Sequence, residues 1–209
     1  MNKLAEGIYQ IKVPFEDLYT SVFVVTSSEG TLIIDAATYP EDMDRYILPA
    51  LNELGIEKPD YLLLSHSHGD HMGGTGRLCE LFPELQVRAV EALPFSNFMK
   101  MTDGDVFIDR IRVVHLPGHT AYSSAFLDQI SGLLLTCDCL QQRGVGKYVH
   151  GIERIDDYTC SVEKVRRLDI SGIVAAHDYV PLGSTAVGNE AIQKYLDECI
   201  RALDEYEPE

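Results

Sequence analysis

Residues 60–71 constrain the fold of this chain more tightly than any other stretch. Asp60-Tyr61-Leu62-Leu63-Leu64-Ser65 is a short apolar run, which reads as a strand buried on both faces. Directly after it come His66-Ser67-His68-Gly69-Asp70-His71, three of the seven histidines within six residues. A helix is expected to follow over 73–81. Any fold that takes this segment must bury the strand and leave its C-terminal end open to a polar ligand. Imidazole and carboxylate are the groups that Zn(II) and its neighbours prefer. The i, i+2 spacing of His66 and His68 turns both to one side, and the next turn presents Asp70 and His71 at a helix start. Gly69, Gly73 and Gly74 are expected to supply the tight backbone that so many ligands require. A surface histidine cluster holding no metal is the plainer reading, and the strand-to-helix context disfavours it.

The rest of the chain mixes strands and helices without a linker or repeat, so residues 1–209 read as one domain. Tyr9 to Val13, Ser21 to Thr26 and Thr31 to Asp35 read as strands, the last two joined by the Ser27-Ser28-Glu29-Gly30 turn. Apolar positions at Met43, Ile47, Leu51 and Leu54 predict a helix from Pro40, closed by Gly55 and kinked or split at Pro49. Strands are expected over 87–90, 106–116, 124–127, 133–136 and 173–176. A helix over 158–168 would be capped by Asp156 or Asp157, and a last helix would run over 189–206 with Ile192, Leu196, Cys199 and Leu203 inward. Two sheets with helices outside suit this pattern, an α/β architecture.

Beyond the histidine-rich turn, three further segments complete a known order. Pro117-Gly118-His119-Thr120 is a His after a Pro-Gly turn, Leu134-Leu135-Thr136-Cys137-Asp138 an Asp closing a strand, and Ala175-Ala176-His177-Asp178 a final His. With these four elements in sequence, the chain resembles the metallo-β-lactamase superfamily over essentially its full length. The resemblance implies a four-layer αβ/βα sandwich with the site at one edge of the two sheets. It also implies two divalent ions, Zn²⁺ first and Fe or Mn as alternatives. His66, His68 and His119 would hold one ion, Asp70, His71 and His177 the other, and Asp138 would bridge them. Cys137 departs from the pattern, standing where a Gly is usual, and bears on the local turn.

Other residues read more locally. His115 sits within Val113-Val114-His115-Leu116 and reads as a strand histidine, not a ligand. Arg143, Lys147, Tyr148 and His150 follow Asp138 in a Gly-rich segment and are the candidate substrate contacts. Asp178 and Tyr179 come next to a ligand and are placed near the site or at a loop end.

Composition excludes several classes. With 45% hydrophobic and 24% charged residues the chain is globular, not disordered. No apolar run approaches the roughly 20 residues needed to span a bilayer, and the opening MNKLAEGIYQ lacks the apolar core of a secretory signal. The cytoplasm is the expected compartment. Five cysteines make no disulfide framework in a domain this long and read as buried reduced thiols, with Cys137 and Cys139 as core. A formal charge of −16 opposes nucleic acid as a partner and leaves a small molecule as substrate.

Two ions about 3.5–4 Å apart acidify a shared water enough to give a bridging hydroxide near neutral pH. The expected reaction is hydrolysis of a small ester, thioester or lactone, with Asp70 orienting the nucleophile and passing its proton on. The resemblance extends to the hydroxyacylglutathione hydrolase (glyoxalase II) branch. That branch adds a C-terminal helical region around its glutathione site. The chain stops soon after one helix, so a related enzyme with a more open site is expected. The alternatives are a mononuclear iron persulfide dioxygenase and a small-molecule phosphodiesterase.

Overall fold

The computed structural model describes residues 1–146, 148–149 and 151–205. Its strands, in chain order, are β1 (Asn2–Ala5), β2 (Ile8–Phe15), β3 (Leu18–Ser27), β4 (Gly30–Ile34), β5 (Tyr61–Leu63), β6 (Gln86–Ala89), β7 (Phe98–Lys100), β8 (Val106–Phe107), β9 (Ile111–His115), β10 (Ser124–Asp128), β11 (Leu133–Cys137), β12 (Gly144–Val145), β13 (Tyr148–Val149), β14 (Gly172–Ala175) and β15 (Thr185–Val187). The first seven form one sheet in sequence order. Six others form a second sheet in the order β15-β14-β11-β10-β9-β8, and β12 pairs with β13 as a separate ribbon. The sheets face each other across a core that includes Phe23, Val25, Leu32 and Ile34 from one side and Val113, Phe126, Leu135 and Val174 from the other.

Helices cover both outer faces. On the first sheet lie α1 (Pro40–Asp42), a π-helical turn (Met43–Ile47), α2 (Leu48–Glu53), α3 (Gly69–Met72) and α4 (Thr75–Leu81). Met43, Ile47, Leu51 and Leu78 pack there against Val22, Val24, Ile33 and Leu62. On the second sheet, α5 (Ile155–Arg166) and α6 (Asn189–Arg201) bring Tyr158, Val162, Ile192, Tyr195 and Leu196 onto Val114, Leu127, Leu134 and Ile173. The expected four-layer αβ/βα sandwich is therefore the observed one. No helix among the described residues is long and apolar enough to cross a membrane.

Several local expectations need correction. The helix from Pro40 is split near Pro49, as expected, and the break takes the form of a π turn over Met43–Ile47. Proline lacks the N–H that would bond to residue 45, and the Leu48 N–H bonds to Met43 O instead. The stretch 106–116 is a hairpin, β8 and β9, because Ile108 and Asp109 turn the chain at φ 50° and 53°. Helix α5 begins at Ile155 with Arg154 as its cap, and no side chain makes a capping bond; Asp156 and Asp157 lie in its first turn. The last α-helix stops at Arg201 and continues as a 3₁₀ turn over Ala202–Glu205, and Tyr206 lies outside the described residues. Strands β1, β7, β12, β13 and β15 lie where the sequence pattern predicts none. All five cysteines are free, but only Cys137, Cys139 and Cys199 are buried; Cys79 is half-buried and Cys160 exposed.

Candidate metal centre

Seven donors meet at one end of the two sheets. His66 and His68 leave β5, and Asp70 and His71 sit in α3. His119 follows β9, Asp138 follows β11, and His177 follows β14. Five thus come from a strand end or the loop after it and two from the short helix that follows β5, so the two sheets position them. Helix α3 is pressed onto the loop after β4: Gly73 N–H donates to Ala37 O and Gly74 N–H to Ala36 O, both at 2.9 Å. A Cβ on Gly73 would lie 1.8 Å from Thr38 O, so only glycine admits this approach. Gly69, by contrast, has open space around it, and the steric need expected there is not found.

The donors form two groups, His66, His68 and His119 in one and Asp70, His71, Asp138 and His177 in the other. In the first, His119 Nε2 lies 3.1 Å from His66 Nε2 and 3.0 Å from His68 Nδ1. A tetrahedral ion with ~2.0–2.1 Å bonds holds its nitrogen ligands ~3.3 Å apart. In the second, His71 Nε2 lies 3.4 Å from both Asp70 and Asp138, and His177 Nε2 lies 3.3 Å from Asp70 and 3.4 Å from Asp138. Asp138 also reaches toward the first group, 3.8 Å from His119 Nε2. His71 Nε2 and Asp138 Oδ1 are buried with no hydrogen-bond partner among the described residues. Such orphaned atoms, in a cluster of this donor chemistry, fit divalent ions.

Behind the donors a set of acceptors orients the rings. Asp35, buried at the end of β4, accepts from Ser65 N–H and Ser65 Oγ at 2.8 Å and from His71 Nδ1 at 2.7 Å. His66 Nδ1 pairs with Ser65 Oγ at 2.9 Å, His177 Nδ1 with Tyr19 O at 2.7 Å, and His119 Nδ1 with Gly151 O. Each bond places the proton on Nδ1 and leaves Nε2 for the cluster. Sequence reasoning missed Asp35 and Ser65. The available signal was an Asp ending an otherwise apolar strand, since a buried carboxylate needs partners.

Electrostatics follow from packing charges together. Burial disfavours charge on His71 and His177, but Asp138 and the neighbouring carboxylates outweigh it. They hold His71 well above the usual imidazole range and push His177 up to about 10. Burial would raise Asp138, yet His71 and His177 hold it well below the carboxylate range. His66 goes the other way, lowered by burial and by His71 and His119. The thiols beside Asp138 are kept neutral: burial, with Asp35 near one and Asp138 near the other, pushes Cys137 and Cys139 well up. Cys137 occupies its usual-glycine position at φ 47°, so the left-handed turn is retained with a side chain on it.

The cluster opens into a cavity of about 550 Å³, lined by His68, Asp70, His119, Asp138 and His177 and walled by Phe15, Leu18, Tyr39, Gln141, Val145 and Tyr179. Tyr179, expected near the site, packs edge-on to His177 at 5.9 Å. His115 stays apart, its Nε2 3.1 Å from Ala121 O. Arg143 is not among the lining residues; its Nε is 3.4 Å from Glu198 of α6. Lys147 and His150 lie outside the described residues, as does the Tyr148 side chain.

Comparison with known proteins agrees with this architecture. The family model described as the metallo-beta-lactamase superfamily matches residues 16–97. An atrochrysone carboxyl ACP thioesterase of Emericella nidulans is 32% identical over 154 residues, 68% of this chain and 49% of that protein. A hydroxyacylglutathione hydrolase of Prochlorococcus marinus is 28% identical over 167 residues, 76% of this chain and 64% of that protein. The chain spans roughly half the length of the thioesterase. Among solved structures, a metallo-beta-lactamase family protein of Thermus thermophilus superposes with a TM-score of 0.75 at 18% identity, covering 97% of this chain and 81% of that one.

Proposed function

From the premise that this chain belongs to the metallo-β-lactamase superfamily, we propose that it is a binuclear metal-dependent hydrolase of small esters, thioesters or lactones. The observation that carries this reading is the pair of donor groups, adjoining at Asp138 and opening on one cavity. His66, His68 and His119 would hold one ion and Asp70, His71 and His177 the other, with Asp138 between them. Such ions, most simply Zn²⁺, would supply Lewis acidity and lower the pKa of a water enough for it to give up a proton and act as nucleophile near neutral pH. Relatives named as a thioesterase and as hydroxyacylglutathione hydrolase favour an acyl substrate.

The chain's own residues divide the work by exposure. The Asp70 side chain is 26% exposed and faces the cavity, while that of Asp138 is 8% exposed. Asp70 therefore orients the attacking water and accepts its proton, which it delivers to the leaving group. The apolar wall of Phe15, Leu18 and Val145 excludes bulk water from the acyl group. At a charge of −16 the partner is a small molecule, not nucleic acid. Five free cysteines suit the reducing cytoplasm.

The test is elemental analysis together with hydrolysis of a generic thioester and an aryl ester by the zinc- or manganese-loaded protein. Two ions per chain and turnover are expected. Asp70→Asn should lower kcat far more than it raises KM. One ion per fully loaded chain, or oxygen uptake with glutathione persulfide by the iron-loaded form and no esterase activity, would overturn it. Cleavage of a small phosphodiester alone would change the substrate class.

A further inference from the structure

Gln141 lies three residues after Asp138, 4% exposed, on the cavity wall beside the three-histidine group. Its carboxamide is oriented from one end. Oε1 accepts the Gly151 N–H at 2.9 Å, so the NH₂ faces the other way, with Nε2 3.0 Å from His119 Nδ1. That ring nitrogen is no acceptor. His119 Nε2 points into the donor group, and Nδ1 carries the proton that goes to Gly151 O. Two N–H donors therefore face each other, and among the described residues no other acceptor meets Gln141 Nε2. A buried amide N–H without an acceptor is destabilising, an arrangement that persists where a ligand supplies the acceptor.

We propose that Gln141 is a substrate-binding residue, its Nε2–H donating to an oxygen of the substrate's acyl portion at the His66–His68–His119 side of the cavity. Gly151 N–H preorganises the amide, so no side-chain ordering is needed when the substrate arrives. The donor selects for an oxygen acceptor there and against an apolar or cationic group in the same place. The inference rests on the acyl-hydrolase reading above.

The test uses Gln141→Glu, which keeps an acceptor for Gly151 N–H but removes the donor, and Gln141→Met, which keeps the shape and adds no charge. Metal content is measured alongside the affinity of the zinc-loaded proteins for phenylphosphonate, a stable anion rich in acceptor oxygens. Both variants should hold as many ions as wild type and bind phenylphosphonate at least about tenfold more weakly, with kcat/KM on the thioester falling in parallel. Unchanged phosphonate affinity in Gln141→Met, loss of metal from both variants, or no phosphonate binding by wild type would each overturn the assignment. Because affinity is read without turnover, a wild type that binds phosphonate but cleaves no ester would count against the hydrolase reading while Gln141 is still tested.

Discussion

Asp35 shows how much of this site is decided outside its donor set. A single carboxylate accepts from Ser65 twice and from His71, and Ser65 Oγ passes the constraint to His66. It thus orients one ring in each donor group. Asp35→Asn keeps the shape but replaces one acceptor oxygen with a donor, leaving His71 Nδ1–H or Ser65 facing another N–H. Loss of such an orienting partner typically costs 10–100-fold in metal affinity. Zinc titration against a chromophoric chelator should show a weakening of that order; affinity equal to wild type would remove Asp35 from the site. The seven donors were legible in the sequence because each sits in a short segment of recognisable spacing. Asp35 and Gln141 were not, since their roles arise from contacts with residues 30–36 and 10–22 positions away. Arg143 is a candidate by its place in the chain, and its Nε lies 3.4 Å from Glu198 of α6.

At the scale of elements, apolar pattern was a good guide to strands with long buried runs, such as β3 and β11, and a poor one at edges. Strand β7, Phe98–Lys100, carries only one half-buried residue, and β15 buries only Ala186, so neither leaves an alternating signature. The hairpin between β8 and β9 hid for a different reason. Turns with two residues at positive φ favour glycine or asparagine, but here they are Ile108 and Asp109. Ile108 is tolerated because its side chain is buried in the core between the sheets, which offsets the backbone cost. Asp109 is exposed and has no such compensation. Asp109→Gly should therefore stabilise the fold by about 0.5–1 kcal/mol. Thermal denaturation should show a small rise in Tm with metal content unchanged, and a fall in Tm would mean that Asp109 makes a contact worth more than its strain.

Taken as a whole, the molecule is two sheets fastened at both ends. At one end the donors of the first sheet, His66 to His71, meet those of the second, His119, Asp138 and His177. At the other, Arg110 precedes β9 and binds Asp128 at the end of β10, at 2.6 and 3.1 Å. The same guanidinium donates to Thr26 O and Glu6 O of the first sheet at 2.9 and 2.7 Å. Arg110 is 4% exposed and Asp128 fully buried, so removing the cation strands a buried carboxylate, which typically costs 3–5 kcal/mol. Bound metal acts at the opposite end by mass action: at free metal about 1,000 times Kd it contributes about 4 kcal/mol. β9 alone separates the two by ~15 Å, beyond the range at which stability effects couple. Arg110→Leu and chelation should therefore add. Each should lower the free energy of unfolding by several kcal/mol, and the double perturbation should equal their sum within about 0.5 kcal/mol. Zinc affinity of Arg110→Leu should match wild type. If chelation cost the variant much less than it costs wild type, or if zinc affinity fell with the substitution, the two fastenings would be one cooperative unit, and the sheets would depend on the metal site for their alignment along their full length.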